Sequence, residues 1–325
     1  MERIMIEGID AITYSTDRWD EAKKFFADWG LKLEKETDAR VDWSTLNGCG
    51  VSVIRPDDAS YPQAIEDGPT IREVVWGVHD AADLDRLAAS PLSEAPGFVD
   101  GRAVDGTLTA RDPHGLQLKF RVMQKRPLDI KGAATNPWGD VRRIDMPSPI
   151  YERAEPIEVG HVVLFTDRLA EAVAFYESIG FVQSDRYPGR GVFMRCAPDA
   201  GHHDLFLLQL PGKATGLNHV AYTVRDIHEV FGGGLHISRC GWKTQLGPGR
   251  HPISSAYFWY FENPCGGLIE YNADEDHLSP AWEMREFEPG PTVFAEWAVD
   301  GGLDGNTRRQ KNAEGPSGKF LTEKK

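Results

Sequence analysis

At 325 residues, with 41% hydrophobic and 26% charged side chains, the chain has the composition of a soluble globular protein and the length of two domains rather than one. No stretch approaches the ~20 consecutive apolar residues of a bilayer span, which excludes a membrane protein, and a formal net charge of -14 repels phosphate backbones, which argues against a nucleic-acid partner. The opening MERIMIEGIDAITYS has no basic segment leading into an apolar one, so a cytoplasmic location is expected; Cys49, Cys196, Cys240 and Cys265 show no CxxC pairing, so free thiols are expected.

In chain order, the first predicted strand is 8–15 (GIDAITYS), followed by a helix within 16–31 (TDRWDEAKKFFADWGL). A second strand at 73–80 (EVVWGVHD) and a closing strand within 112–120 (DPHGLQLKF) complete the first half. The Pro-, Arg- and Asp-rich stretch 124–153 has neither the helical nor the strand period and reads as a connector. The pattern then recurs. A strand at 160–166 (GHVVLFT) leads into 166–181 (TDRLAEAVAFYESIGF), where Leu169, Ala172, Val173 and Tyr176 have helical spacing and Gly180 is a good terminator. Apolar strands follow at 205–210 (LFLLQL) and 257–261 (YFWYF), while 219–226 (HVAYTVRD) matches 73–80 and 263–271 (NPCGGLIEY) matches 112–120. At an offset of 150, residues 16–31 and 166–181 share Thr, Asp, Arg, Glu, Ala, Phe and Gly. The repeat predicts an α+β chain of four strand-helix-strands units, two in residues 1–140 and two in 141–300, with a polar tail at 301–325. Such a tail is loose or packs on neighbouring subunits, and a homo-oligomer is expected.

What differs between the halves locates the chemistry. His161 and His219 are predicted to open the first strands of the third and fourth units, and Glu270 lies in the closing strand. Two imidazoles and a carboxylate are the ligand set of a facial triad, which leaves coordination positions open. The matching N-terminal residues, Ala11, Glu73 and Lys119, cannot build such a site. A histidine at a strand start is more often structural than ligating, but an unpaired carboxylate on the apolar strand GGLIEYN is costly to bury. His202 and His203 precede one apolar strand, and His251 precedes another that carries Tyr260; Tyr260 and Glu270, an even number apart, are predicted to share a face. His228, His236 and His277 show no spacing that ties them to the site.

These segments resemble the type I extradiol ring-cleaving dioxygenases of the vicinal oxygen chelate superfamily. The resemblance is carried by GH at 160–161, by 193–204 with its FMRC and HHD ends, by NHVAY at 218–222, and by GPGRHPISSAYFWYFENPCGGLIEY at 247–271. It implies four βαβββ modules paired into two domains, each a curled mixed sheet around a funnel-shaped cavity. It further implies Fe(II), less often Mn(II), on His161, His219 and Glu270; an acid-base role for His203; catecholate contacts from His251 and Tyr260; and a catechol-type substrate cleaved with O2. Asp204 stands where relatives carry Ser or Thr, and 197–201 looks longer than usual, which leaves His202 beside His203 as a candidate. Ile253 replaces an Asn common in enzymes for two-ring catechols, so substrate identity does not transfer. An aromatic substrate needs an apolar pocket, for which Val163, Phe193, Ile253, Phe258 and Trp282 are candidate walls. Two alternatives are a metal-dependent isomerase or glyoxalase of the same superfamily and a non-catalytic aromatic-binding protein.

Overall fold

The computed structural model describes residues 3–301; of the predicted tail, all but Gly301 lies outside the described residues. The first half runs β1 (Ile6–Ser15), α1 (Trp19–Asp28), β2 (Lys32–Glu36), β3 (Arg40–Ser44) and β4 (Gly50–Ile54), then β5 (Thr70–Val78), α2 (Ala81–Ala88), β6 (Val99–Asp100), β7 (Leu108–Arg111) and β8 (Gln117–Val122). Its eight strands make one mixed sheet in the order β2-β3-β4-β1-β5-β8-β7-β6.

The second half runs β9 (Glu158–Phe165), α3 (Leu169–Ser178), β10 (Val182–Tyr187), β11 (Gly191–Arg195), β12 (Ala200–Gly201) and β13 (Leu205–Leu208), then β14 (Gly216–Thr223), α4 (Ile227–Arg239), β15 (Thr244–Arg250), β16 (Tyr257–Glu262) and β17 (Leu268–Ala273). It ends in β18 (His277–Leu278), β19 (Arg285–Glu286), α5 (Pro291–Phe294) and β20 (Trp297–Gly301). Ten of these strands form a mixed sheet, β19-β10-β11-β13-β9-β14-β17-β16-β15-β20. β12 pairs separately with β18. The chain is thus α+β, two mixed sheets with few helices, and residues 123–157 between them carry no helix or strand.

The repeated helices start and stop for the same local reasons. Thr16 and Thr166 each accept a hydrogen bond from the backbone N–H two residues on, at Arg18 and Arg168. Gly30 and Gly180, at φ of 95° and 109°, occupy the left-handed region that ends a helix without a Cβ penalty. A side chain at Gly30 is further barred by the Ala154 carbonyl, 2.1 Å from where its Cβ would stand. Between those ends Phe25, Phe26, Ala172 and Tyr176 face the core. The two halves meet along an aromatic seam: Trp29 stacks on Tyr271 with ring centroids 3.6 Å apart, and the Tyr271 hydroxyl donates to the Trp29 carbonyl at 2.7 Å.

His161 and His219 are each the fourth residue of their strands, not the first, because β9 starts at Glu158 and β14 at Gly216. Pairing extends further because Ile157 N–H still donates to the Thr223 carbonyl. Gly160 is fixed by the same closeness, since a Cβ there would lie 2.6 Å from Thr223 Oγ1.

The two sheets share a register. Ala11 faces Val75, which faces Lys119; His161 faces Ala221, which faces Glu270. Glu73 stands opposite Thr13 as His219 stands opposite Val163. Ala11, Glu73 and Lys119 therefore occupy the ladder positions of His161, His219 and Glu270, the correspondence the repeat predicts. Among the described residues no helix is long and apolar enough to cross a membrane. All four cysteines are free, Cys49, Cys196 and Cys265 being buried and Cys240 half-buried.

Candidate metal centre

Three adjacent strands, β9, β14 and β17, bring His161, His219 and Glu270 together. The two Nε2 atoms lie 3.2 Å apart, and Glu270 Oε2 lies 3.2 Å from His219 Nε2 and 3.4 Å from His161 Nε2. Ligand bonds of about 2.1 Å at right angles or at tetrahedral angles put donor atoms ~3.0 to ~3.4 Å apart, so a first-row divalent cation fits among them. All three side chains are buried. Burial pulls both histidines below their ordinary range, which keeps their lone pairs free for a cation. Burial alone would raise the Glu270 carboxyl, but His161, His219 and His251 outweigh it and hold the group ionised. Both Glu270 oxygens nevertheless lack a well-aligned hydrogen-bond donor, as does His161 Nδ1 a partner. A buried carboxylate with imidazole nitrogens aimed at it and no donor is what a cation satisfies. His219 Nδ1 is held by Asn218 Oδ1 at 2.6 Å, which orients the ring and leaves Nε2 as the nitrogen available to a cation.

The paired histidines divide. The His203 ring lies 4.0 Å from that of His161, whereas His202 points away, its Nε2 2.9 Å from Asp185 Oδ2. Asp185 is in turn held by Arg285 at 2.6 Å. His202 Nδ1 sits 3.2 Å from His203 Nδ1, so a proton on His202 Nε2 leaves His202 Nδ1 to accept from His203 and turns the His203 Nε2 lone pair outward. Glu275, which no sequence pattern marks, stands 2.9 Å from the same His203 nitrogen, and burial pushes its carboxyl up to about 7. His251 and Tyr260 are joined on the other side of the triad: His251 Nδ1 donates to the Phe294 carbonyl at 2.6 Å, so its Nε2 accepts from the Tyr260 hydroxyl at 3.0 Å. Tyr260 pairs directly with Glu270 across β16 and β17, which places both on one face.

Of the candidate wall residues, Val163, Phe193 and Ile253 form one apolar cluster with Tyr187 and Phe206, and Phe193 meets His203 edge-on at 5.1 Å. Phe258 stacks on His251 at 4.1 Å. Trp282 is not brought to either group: its indole N–H donates to the Ser184 carbonyl, and Arg285 covers its ring at 4.5 Å. His277 is exposed and paired with Asp199, while His228 and His236 lie on α4.

In the N-terminal half the equivalent positions close on each other. Lys119 Nζ lies 4.0 Å from Glu73 Oε2, which also accepts from Gln117 at 2.5 Å. An ammonium offers no lone pair and repels a divalent cation. Iron analysis at saturation is therefore expected to find one iron per chain, and Lys119→Ala to keep activity within about twofold. Metal bound at Glu73 would contradict this.

Asp204 turns inward, accepting from Cys196 N–H at 2.8 Å, and burial raises its carboxyl from 3.8 to about 6. Because the folded value exceeds the unfolded one, the folded state holds the extra proton between them, and stability falls as pH rises through about 6. Asp204→Asn keeps an acceptor for Cys196 and removes that charge. Thermal unfolding is expected to show it stabilised by roughly 1–3 kcal/mol at pH 7.5 and nearly unchanged near pH 3.5, since each tenfold difference in proton affinity between the folded and unfolded chain is worth ~1.4 kcal/mol. An equal change at both pH values would rule the account out.

Residues 158–271 match the Glyoxalase/Bleomycin resistance protein/Dioxygenase superfamily. Metapyrocatechase 2 of Cupriavidus necator is 30% identical over 226 residues, 66% of this chain and 67% of that protein. A Mn(II)-bound glyoxalase from Novosphingobium aromaticivorans superposes with a TM-score of 0.71 at 23% identity, over 93% of both chains. BphC, a halotolerant catechol dioxygenase, superposes at 0.70 and 18% identity, over 93% of this chain and 97% of its own. The chain belongs to this superfamily and is an enzyme of its extradiol dioxygenase branch.

Proposed function

We propose that the enzyme cleaves a catechol-type ring at the bond beside its two hydroxyls, adding both atoms of O2, with Fe(II) held by His161, His219 and Glu270. The observation that carries this reading is the convergence of those three donors at 3.2 to 3.4 Å, with His203 on one flank and His251 and Tyr260 on the other. Fe(II) bound there supplies Lewis acidity toward the diol and a path for electrons between ring and O2. Tyr260, whose hydroxyl burial keeps protonated, donates toward a substrate oxygen on turning from His251, and the His251 Nε2 it releases takes up a proton from the diol. His203, kept neutral by burial and by the neighbouring His202, accepts a proton at Nε2 and returns it as the ring opens. Val163, Phe193 and Ile253 exclude water from the ring's far side.

Anaerobic loading with Fe(II), then admission of air and a panel of catechols, tests this reading. The expected result is O2 uptake with new absorbance near the visible edge; catechol binding without O2 uptake would favour a binding protein, and conversion without O2 an isomerase. Parallel loading with Mn(II) decides the metal.

We also propose a homo-oligomer, with the connector as its contact. Trp138 and Ile150 stand 104% and 90% exposed there, apolar surface that a lone chain leaves in water. Light scattering is expected to show more than one chain, reduced by Trp138→Ser with Ile150→Ser.

A further inference from the structure

A second cluster of ligating side chains lies where the two halves meet, away from His161, His219 and Glu270. Asp28 is the last residue of α1; His236 stands in the last turn of α4, and Cys240 caps that helix four residues on. One ligand atom from each lies within 4.8 Å of the other two. Residues four apart on a helix share a face, so both α4 side chains project toward α1.

The distances carry the argument. Cys240 Sγ is 3.6 Å from His236 Nε2. A zinc ion with Zn–S of about 2.3 Å and Zn–N of about 2.05 Å at the tetrahedral angle sets those two atoms ~3.6 Å apart. Asp28 is held in place because its Oδ2 accepts from the Trp242 indole N–H at 2.8 Å, and Trp242 is itself packed edge-on against Phe25 of α1 at 4.8 Å. The ends of α1 and α4 both point here, and the partial negative charge at each helix C-terminus favours a cation. All three residues are half-buried, which leaves a path for an ion.

We propose that Asp28, His236 and Cys240 form a second metal site, selective for a borderline-soft divalent cation of the Zn(II) class, that staples the N-terminal half to the C-terminal half. The mixed S, N and O donor set fits zinc better than the hard cations, and water completes the coordination. In the metal-free chain Lys24 takes the cation's place, its Nζ 2.5 Å from Asp28 Oδ2. Its side chain is 59% exposed and free to swing into solvent when an ion enters.

Sulfur makes the test specific, because the donors at His161, His219 and Glu270 include none. Co(II) added to the metal-free full-length chain is expected to give a thiolate-to-metal charge-transfer band that Zn(II) then removes. His161→Ala should keep the band and Cys240→Ser should abolish it. Lys24→Ala, which removes the competing ammonium, should bind Co(II) several-fold more tightly. In the His161→Ala background, Zn(II) at about a hundred times its Kd should raise the unfolding midpoint by about 4 °C, and Cys240→Ser should cancel that rise. Absence of the band in the wild-type chain, its persistence in Cys240→Ser, or weaker binding by Lys24→Ala would each overturn the proposal, and none of these outcomes depends on ring cleavage.

Discussion

Glu270→Ala is expected to abolish ring cleavage and to lower iron affinity by more than about a hundredfold, the upper scale seen when only a ligand's supporting partner is lost. The reason is electrostatic as well as geometric. Glu270 is the anion of the set, wholly buried, and its removal leaves two neutral imidazoles to hold a dication. His161→Ala and His219→Ala should behave alike, each deleting one of three donors. The fold should survive Glu270→Ala, because in the metal-free chain this carboxylate has no well-aligned donor to lose. Circular dichroism and elemental analysis of the same sample separate loss of metal from loss of structure. Full iron occupancy in any of the three variants would contradict the assignment.

The second large effect is expected at His203. His203→Ala should keep its iron and bind catechol yet turn over at least ~100-fold more slowly, the usual scale for loss of an acid-base group. Its environment also sets a pH expectation. Burial and the neighbouring His202 depress its pKa well below the ordinary histidine value, so the proton-accepting neutral form persists as pH falls through 6.5. Activity should therefore not decline between pH 8 and 6.5 on account of this residue, and a decline should appear only at lower pH. His202→Ala should reduce turnover less, since its ring contacts Asp185 and orients its neighbour without facing His161. If instead His202→Ala stalls turnover and His203→Ala does not, the roles are exchanged.

Much of this site is legible in the chain because a duplicated sheet preserves register. The uninterrupted offset from Thr16 to Leu31 aligns Ala11 with His161, and the two ladders then carry the alignment to Glu73 and Lys119. Parity also works for Tyr260 and Glu270, because β16 and β17 pair without a bulge across that stretch. It fails for Glu275. An odd separation from Glu270 predicts the opposite face, but β17 ends at Ala273 and Asp274 turns through a left-handed φ of 63°, which brings the next side chain back to His203. Asp185 is hidden for a different reason: its contact with His202 spans strand β10 and the loop after β12, a tertiary pairing that spacing does not encode. Trp282 lies between β18 and β19, where no period assigns a face, and its aromatic character alone gives no direction. His236 and Cys240 are visible as an i,i+4 pair on α4, but their third partner, Asp28, comes from the other half of the chain.

The most direct test of the central claim is a single turnover of the Fe(II)-loaded enzyme with a catechol under isotopically labelled O2, followed by mass analysis of the product. The account predicts a ring opened beside the diol that carries both labelled atoms, and no such product from Glu270→Ala. An unlabelled product, or a ring opened between the two hydroxyls, would contradict it.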